Sequence, residues 1–487
     1  MTSPDPTPSS QPPRRRLRIV RGLLFLAVAL ASLIALFYAV ENWRGQRALQ
    51  QCKRELEAKG EKLAWDDWLP KPVPDESNFF KAPGMEALFV RIEPKAATRD
   101  KLPDWPQGYS KDIPFAMADL KQLPLQSSAP DKKSLASLRG WFQEHDTVFQ
   151  QIEAAAQRPQ SQLKRDPDEP FGGQTVHFVT LRKIAQLLSS RTKTQLLSGQ
   201  PAEAARSLAL LGRLVEAGRD DHPPFLVQSM ISVAIAGLAV TTFQEGLAER
   251  LWPEAQLIAC QDQLQRLEVL GAVATSLRAE RAGAGYMLEN WPQARLAKVF
   301  VTEKPKRLSA GTLLFRLLPR GWLLQNEVVL FQPGQEFLEA LDEPGQRVNP
   351  RRVDQTTLAM NEKFRRRSPY NVIAAMAVPN LGKALRTAAK TQSIVRQAAI
   401  ACALERCRLA TGAYPDSLEA LVPRFIAKLP ADVVPGQSFQ YRRNADGSFL
   451  LYSFGWNEKD DGAVEAKNPD GSRQLESGDW VWNAKDR

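Results

Sequence analysis

The sequence predicts a mainly α-helical protein with a small C-terminal α+β module and one N-terminal transmembrane helix. One uncharged apolar stretch lies near the N-terminus, and apolar residues recur with helical spacing through most of the middle of the chain. Near the C-terminus, apolar residues instead alternate with polar ones between turn signals, which is typical of strands. We therefore expect a membrane helix, a helical bundle-like middle, and a long helix leading into a small antiparallel β-sheet.

The apolar stretch from Gly22 to Val40 contains no charged residue. A helix of this length rises about 28 Å, which matches the hydrocarbon thickness of a bilayer. Tyr38 and Trp43 suit the interface at its far end as aromatic anchors. Basic residues before a span favour an N-terminus that stays in the cytoplasm, and five arginines precede this one: Arg14, Arg15, Arg16, Arg18 and Arg21.

A cleaved signal peptide is the alternative to an uncleaved anchor. Signal peptides have a shorter apolar core, of about 7–15 residues, and small residues at the cleavage site. Phe37 stands two residues before Ala39 and makes a poor site, so we favour the uncleaved anchor. Four basic residues after the stretch weaken the expected orientation: Arg44, Arg47, Lys53 and Arg54.

The chain after the anchor divides into a connecting segment and a large helical region. Residues 1–21 are interpreted as a disordered basic cytoplasmic tail, 22–40 as the transmembrane helix, and 41–84 as a stalk and Pro-rich linker. The linker, WLPKPVPDESNFFKAPG at 68–84, contains too many prolines for a regular helix. Residues 85–370 are predicted to form a mostly helical domain.

Three apolar segments of the helical domain lead to separate predictions. Residues 175–218 indicate two helices that meet at Gly199-Gln200-Pro201, because glycine commonly ends and proline begins a helix. Residues 225–243 are apolar all round but interrupted by polar residues, which favours a buried core helix over a second membrane span. Residues 312–331 are broken near Pro319, and two interpretations stay open for them: packing against the core, or contact with the membrane surface.

The last part of the chain changes from helical to strand patterns. Residues 371–412 are predicted to form one long helix that ends at a glycine. Asp416 and Glu419 then make an Asp-x-x-Glu pattern that can cap a short helix. FQYRRNADGSFLLYSFG (439–455) indicates a β-hairpin with NADG as its turn, and DWVW (479–482) indicates a third strand.

The C-terminal fifth of the chain carries short motifs in an ordered series. RLATGAYPDSLEALV (408–422) is followed by LPAD, by the hairpin, by YSFGWNEKDDG (452–462) and by a terminal DW. This series resembles the globular part of the major pseudopilin of type II secretion systems. The resemblance implies that residues 413–487 form a pseudopilin-like α+β module. The whole chain is also similar to large bacterial membrane-anchored proteins that place a helical region before this module.

These resemblances imply a single-pass protein of the bacterial inner membrane with its C-terminal bulk outside the cytoplasm. They also imply a structural or interaction role in type II secretion or envelope assembly, with the lipid bilayer and proteins of such assemblies as partners. The chain departs from pseudopilins because no glutamate stands five residues after Gly22, and because residues 41–370 separate the span from the pseudopilin-like helix. We therefore expect a pilin-type module reused on another scaffold.

Related pseudopilin modules bind calcium in the loop after the hairpin, through acidic side chains and main-chain carbonyls. Hard oxygen ligands at about 2.3–2.6 Å can come from such a flexible segment. Carbonyl groups near residues 453–454 are candidates, and the resemblance adds four candidate side-chain ligands: Asn457, Asp460, Asp461 and Asp479. Lys459 and Lys467 lower the local negative charge, so a solvated Asp-Gly turn without metal is the alternative.

Motifs for catalysis and for nucleic-acid binding are missing from the sequence. His145, His177 and His222 lack the spacing of metal sites, and neither a nucleophile elbow nor a phosphate-binding loop occurs. The net charge of +11 is spread along the chain rather than gathered in one block. We therefore expect a non-enzymatic protein that binds no nucleic acid.

Two other hypotheses stay open. One is an envelope enzyme or carbohydrate-binding protein with its site between helices of the middle domain, since the chain has 11 tryptophans and scattered carboxylates. The other is a reversed orientation, in which the basic chain binds an acidic partner in the cytoplasm.

Overall fold

The computed structural model describes residues 14–85, 117, 134–162, 166–171, 178–220, 225–300, 310–342, 346–377, 380–434, 438–469 and 473–482. The predictions for residues 1–13 and for most of 86–133 lie outside the described residues, as do His177 and His222. Over the described residues the chain is mainly helical with a small C-terminal antiparallel sheet, which confirms the predicted fold class.

The helices are numbered in chain order, and their bounds are as follows: α1 Arg14–Glu57, α2 Leu135–Glu144, α3 Asp146–Ala156, α4 Phe178–Leu197, α5 Pro201–Asp220, α6 Leu226–Ala248, α7 Glu254–Arg266, α8 Leu270–Asn290, α9 Gln293–Phe300, α10 Ala310–Arg316, α11 Arg320–Glu339, α12 Pro350–Arg365, α13 Val372–Ala377 and α14 Leu381–Thr411.

Helices α6 and α14 form the centre of the core. Val395, Ala398 and Cys402 of α14 are buried, and small residues throughout this helix let α6 and α7 approach it closely. Helix α6 is long and apolar enough to cross a membrane, but 61% of its most apolar stretch is buried within the body. It is a core helix, as the polar interruptions predicted.

The predicted helical hairpin is formed by α4 and α5. Gly199 adopts a positive φ of 71° just after α4 ends, and Pro201 is the first residue of α5. Glycine populates this left-handed region without steric cost, and proline at the first helical position removes an amide that has no partner within the helix.

The C-terminal module contains a three-stranded antiparallel sheet in the order β1-β2-β5. These strands are β1 Gln440–Arg443, β2 Phe449–Ser453 and β5 Trp480–Trp482. Leu451 of β2 lies opposite Tyr441 on one side and Trp482 on the other. The hairpin and the third strand were predicted, but a second hairpin, β3 Glu465–Lys467 with β4 Arg473–Gly478, was not.

The segment predicted as stalk and linker is instead packed against the body. Helix α1 starts within the predicted tail, continues to Glu57, and buries Leu49, Cys52 and Leu56. Further on, Phe79 and Phe80 are each only 1% exposed, and the side chain of Asn78 accepts a hydrogen bond from the Phe80 amide at 3.1 Å. Two buried phenylalanines anchor the Pro-rich segment, which therefore does not act as a free spacer.

The predicted long helix at 371–412 is divided into α13 and α14. Asn380 has non-helical dihedral angles, and its side chain accepts a hydrogen bond from the Lys383 amide at 3.0 Å, which caps the start of α14. The prediction that Asp416 caps a short helix is wrong. The residue before the short 3₁₀ turn Leu418–Leu421 is Ser417, and Asp416 instead pairs with Arg443 at 3.2 Å.

Candidate functional site

Helix α1 is joined to the body through α11, and these two helices run parallel. Near the start of α11, the amide of Gly321 donates to Asn42 Oδ1 at 2.8 Å. Near its end, Lys59 just beyond α1 pairs with Glu339 at 2.7 Å. Because contacts advance in the same direction along both helices, the start of α11 lies at the end of the apolar stretch of α1.

The two helices approach most closely at a pair of glycines. A Cβ atom built on Gly45 would lie 2.3 Å from the Gly321 carbonyl oxygen, and one on Gly321 would lie 1.9 Å from the Glu41 carbonyl oxygen. Any side chain at either position would therefore meet backbone. The buried carboxylate of Glu41 adds a hydrogen bond from Trp322 Nε1 at 2.9 Å.

A pair of carboxyl groups, of buried Glu327 and partly exposed Glu289, lies between α8 and α11, beside α1. Glu327 is fully buried, and neither of its carboxyl oxygens has a donor among the described side chains. Burial and the neighbouring Glu289 raise the pKa of Glu327 well above its usual range. The protonated acid can then donate to Glu289, which also pairs with Lys53 of α1 at 2.5 Å.

A second buried polar network connects the end of α1 to α8 and α11. Glu61 accepts a hydrogen bond from Arg281 Nη2 at 2.5 Å, and Arg281 Nη1 donates to Gln335 Oε1 at 2.8 Å. Burial lowers the pKa of Arg281, while the carboxylate of Glu61 acts in the opposite direction. Together with the glycine contact, this network holds α1 against the body.

Three of the candidate calcium ligands, Asn457, Asp460 and Asp461, lie in the loop after β2, and Asp479 reaches this loop from the turn between β4 and β5. All four are engaged by internal hydrogen bonds. Asp479 is 1% exposed, and its two oxygens accept from the amides of Asp461 at 3.2 Å and Ala463 at 2.6 Å. Asp460 Oδ1 accepts from the Gly462 amide at 2.9 Å. Burial raises the pKa of Asp479, and its neighbouring carboxylates act in the same direction.

The side-chain amide of Asn457 also donates a hydrogen bond, to Asp461 Oδ2 at 2.7 Å. Across the described residues, no group of three or more His, Cys, Asp or Glu side chains is placed to hold a metal ion. Calcium binding by Asn457, Asp460, Asp461 and Asp479 stays a prediction.

Two of the motifs that carry the pseudopilin resemblance are joined in the core. Asp432, the last residue of LPAD, is fully buried and accepts from the Ser453 hydroxyl of the YSFG motif at 2.6 Å. The same carboxylate accepts from the Val433 amide at 2.6 Å. Burial raises the pKa of Asp432, whereas these hydrogen bonds lower it. Here the motif residues serve the packing of the module.

An open cleft of about 820 Å³ lies between the β1–β2 hairpin, the end of α14 and the residues after α6. The Tyr414 hydroxyl donates to Glu405 at 2.7 Å, and Arg408 pairs with Glu405 at 2.5 Å. Arginine and tyrosine are enriched at protein interfaces, and six residues of these two types line this cleft: Arg250, Arg408, Arg442, Arg443, Tyr414 and Tyr441.

Sequence reasoning missed the buried acids Glu41 and Glu327. A lone glutamate inside an apolar helical run is the signal that could have identified them, in YAVENW and in LLQNEVVL. No family model matches this sequence, and no curated protein or solved structure is significantly similar to it.

Proposed function

We propose that this chain is a single-pass, membrane-anchored structural or interaction protein whose body lies outside the cytoplasm of a bacterial cell. In this proposal α1 spans the inner membrane, the helical body is held rigidly beside it, and the C-terminal module presents a surface to protein partners.

The contrast in exposure along α1 carries this proposal. Leu24 and Phe25 are 65% and 77% exposed, whereas Leu49 and Leu56 of the same helix are each 5% exposed. Exposed apolar surface on this scale is unfavourable in water and is satisfied by lipid. The helix is a candidate membrane anchor by length and composition as well.

The cleft beside the β1–β2 hairpin supports the interaction part of the proposal, because its tyrosines and arginines are residue types that dominate binding interfaces. The link to type II secretion or envelope assembly rests on the motif resemblance of residues 413–487. In vivo cross-linking followed by purification of the full chain should recover proteins of these assemblies, and recovery of the chain alone would count against an interaction role.

Extraction of membranes with alkaline carbonate tests the anchor. We expect the full chain to stay in the membrane pellet, and a variant with Leu26→Arg and Leu30→Arg to be released, because each central arginine costs about 2.5–3.5 kcal/mol in insertion. Leu358→Arg, at a residue 70% exposed on the body, is the matched control and should stay in the pellet. Release of the unsubstituted chain would overturn the proposal.

A further inference from the structure

Helix α10 lies beside the last residues of the apolar stretch of α1. The hydroxyl of Tyr38 donates to the carbonyl of Leu317, which follows α10 directly. The rings of Phe37 and Trp322 meet edge-on with centroids 6.0 Å apart. Because α11 runs parallel to α1 and away from that stretch, α10 occupies the end of the body nearest to it.

Helix α9 lies at the same end. The side chain of Gln293, at the start of α9, donates to the carbonyl of Leu318 at 2.6 Å. The rings of Phe300 and Phe315 stack with centroids 6.2 Å apart, which joins α9 to α10. The two helices therefore form one structural unit at the end of α1's apolar stretch.

This unit exposes apolar side chains above a small core that it shares with α8, α11 and α13. Phe315, Leu323 and Ile373 pack into that core. Around it, four large apolar side chains of the unit are each more than half exposed, and we call them the α10 patch: Val299, Leu313, Leu314 and Leu317. A group of exposed apolar residues in one region marks an interaction surface rather than ordinary solvent-facing surface.

The residues near the patch are those typical of a membrane interface. Lys298 and Arg316 are exposed next to the apolar side chains. On α1, Trp43 is 58% exposed, and the Arg47 guanidinium lies 5.5 Å from its ring centroid. Aromatic rings anchor at the headgroup level, and basic side chains attract anionic lipid headgroups.

We propose that the α10 patch inserts into the interfacial layer of the same bilayer that α1 spans. The bilayer is the occupant that the geometry favours, because the patch adjoins the exposed apolar surface of α1 through the contact between Tyr38 and Leu317. This inference rests on the proposed function and adds a second attachment, which holds the body against the membrane at a fixed tilt.

Depth-dependent fluorescence quenching tests the inference on the full chain reconstituted in lipid nanodiscs. Three single substitutions each receive an environment-sensitive dye: Leu30→Cys in α1, Leu314→Cys in the patch, and Val464→Cys in the C-terminal module. Val464 is 60% exposed and apolar, so it is matched to Leu314 at 65%. The native cysteines are buried, and the unsubstituted chain serves as the labelling blank.

We expect lipids with a shallow nitroxide to quench much of the emission of the dye at residue 314. Lipids with a mid-chain nitroxide should quench the dye at residue 30, and neither lipid should quench the dye at residue 464. Quenching at 30 without quenching at 314 would overturn the inference and leave the proposed function standing. Failure of quenching at 30 would overturn the proposed function itself. Equal quenching at 314 and 464 would mean that no particular surface meets the bilayer.

A second variant guards against an effect of the dye. Replacing Leu313, Leu314 and Leu317 together with serine should leave the helical circular dichroism signal unchanged, since these side chains are exposed. It should, however, reduce quenching of a dye at the neighbouring exposed Val299→Cys. Unchanged quenching there would contradict insertion of the patch. If the chain instead self-associated without lipid and buried the patch, the inference would be overturned and the patch would be a contact with a second copy of the chain.

Discussion

At the scale of single residues, the buried carboxyl groups of this protein differ in protonation, and the difference follows from the hydrogen-bond donors around each group. Asp479 and Asp432 accept hydrogen bonds from backbone amides and from a hydroxyl. Glu327 has no such donors and lies beside Glu289, which favours its protonated form. A buried carboxylate needs donors, and a buried carboxylic acid needs an acceptor.

Asp479→Asn should destabilise the C-terminal module by about 1–3 kcal/mol, because the new side-chain amide cannot accept from both the Asp461 and the Ala463 backbone amides. Asp460→Asn is the control, since Asp460 is exposed. Thermal unfolding in the presence of a chelator measures the difference. If Asp479→Asn destabilised only when calcium was present, Asp479 would be a calcium ligand rather than a cap for the loop.

The raised pKa of Glu280 leads us to expect that the protein loses stability as the pH rises. Burial raises the pKa of its carboxyl to about 7, although the Leu226 amide donates to it at 2.7 Å. The folded state therefore keeps a proton that the unfolded state releases near pH 4.5. The stabilisation is complete below that pH and is lost as the pH rises towards 7, by an amount of the order of 3 kcal/mol.

Denaturant unfolding across this pH range checks the Glu280 prediction. Glu280→Gln keeps the acceptor for the Leu226 amide but cannot titrate, so the stability of this variant should fall less steeply between pH 4.5 and 7. Glu327 titrates in the same direction, so some slope should persist in the variant. Identical slopes for Glu280→Gln and the unsubstituted chain would contradict the assignment.

At the scale of elements, the contact between α1 and α11 depends on glycine. Gly321→Ala places a methyl group against the Glu41 carbonyl, which cannot move aside without separating the helices. We expect a loss of about 1–3 kcal/mol or more in unfolding free energy, and faster proteolysis of residues 41–57. Gly334→Ala, in the same helix with open space around it, should be neutral or stabilising. Equal behaviour of the two variants would contradict the close approach.

The elements with strong local signals were predicted correctly. Glycine and proline defined the α4–α5 hairpin, and NADG with its alternating flanks defined β1 and β2. Elements fixed by distant contacts were missed, because no local pattern encodes them. The burial of Phe79 and Phe80 in a Pro-rich segment and the pairing of β3 with β4 depend on partners elsewhere in the chain.

For the candidate sites, the sequence identified the apolar stretch of α1 and grouped Asp479 with Asn457, Asp460 and Asp461, which the structure places close together. It could not reveal that the loop carboxylates accept backbone hydrogen bonds, because those bonds depend on loop geometry. It also left two interpretations for residues 312–331, whose position beside Tyr38 depends on the register between α1 and α11.

At the scale of the whole molecule, α1 and the body form a continuous unit. Helix α1 runs for 44 residues without interruption, from the exposed apolar stretch into the packed joint with α11. Two of the basic residues that follow the apolar stretch are engaged there, since Arg44 pairs with Glu41 and Lys53 with Glu289.

The central claim is that α1 spans the membrane once with the body outside the cytoplasm. Protease treatment of spheroplasts from cells that carry the full chain with a C-terminal epitope tests it most directly, with a cytoplasmic protein as the control for intact membranes. We predict that the epitope is lost while the cytoplasmic control survives. Survival of both until detergent is added would contradict the claim and place the body in the cytoplasm.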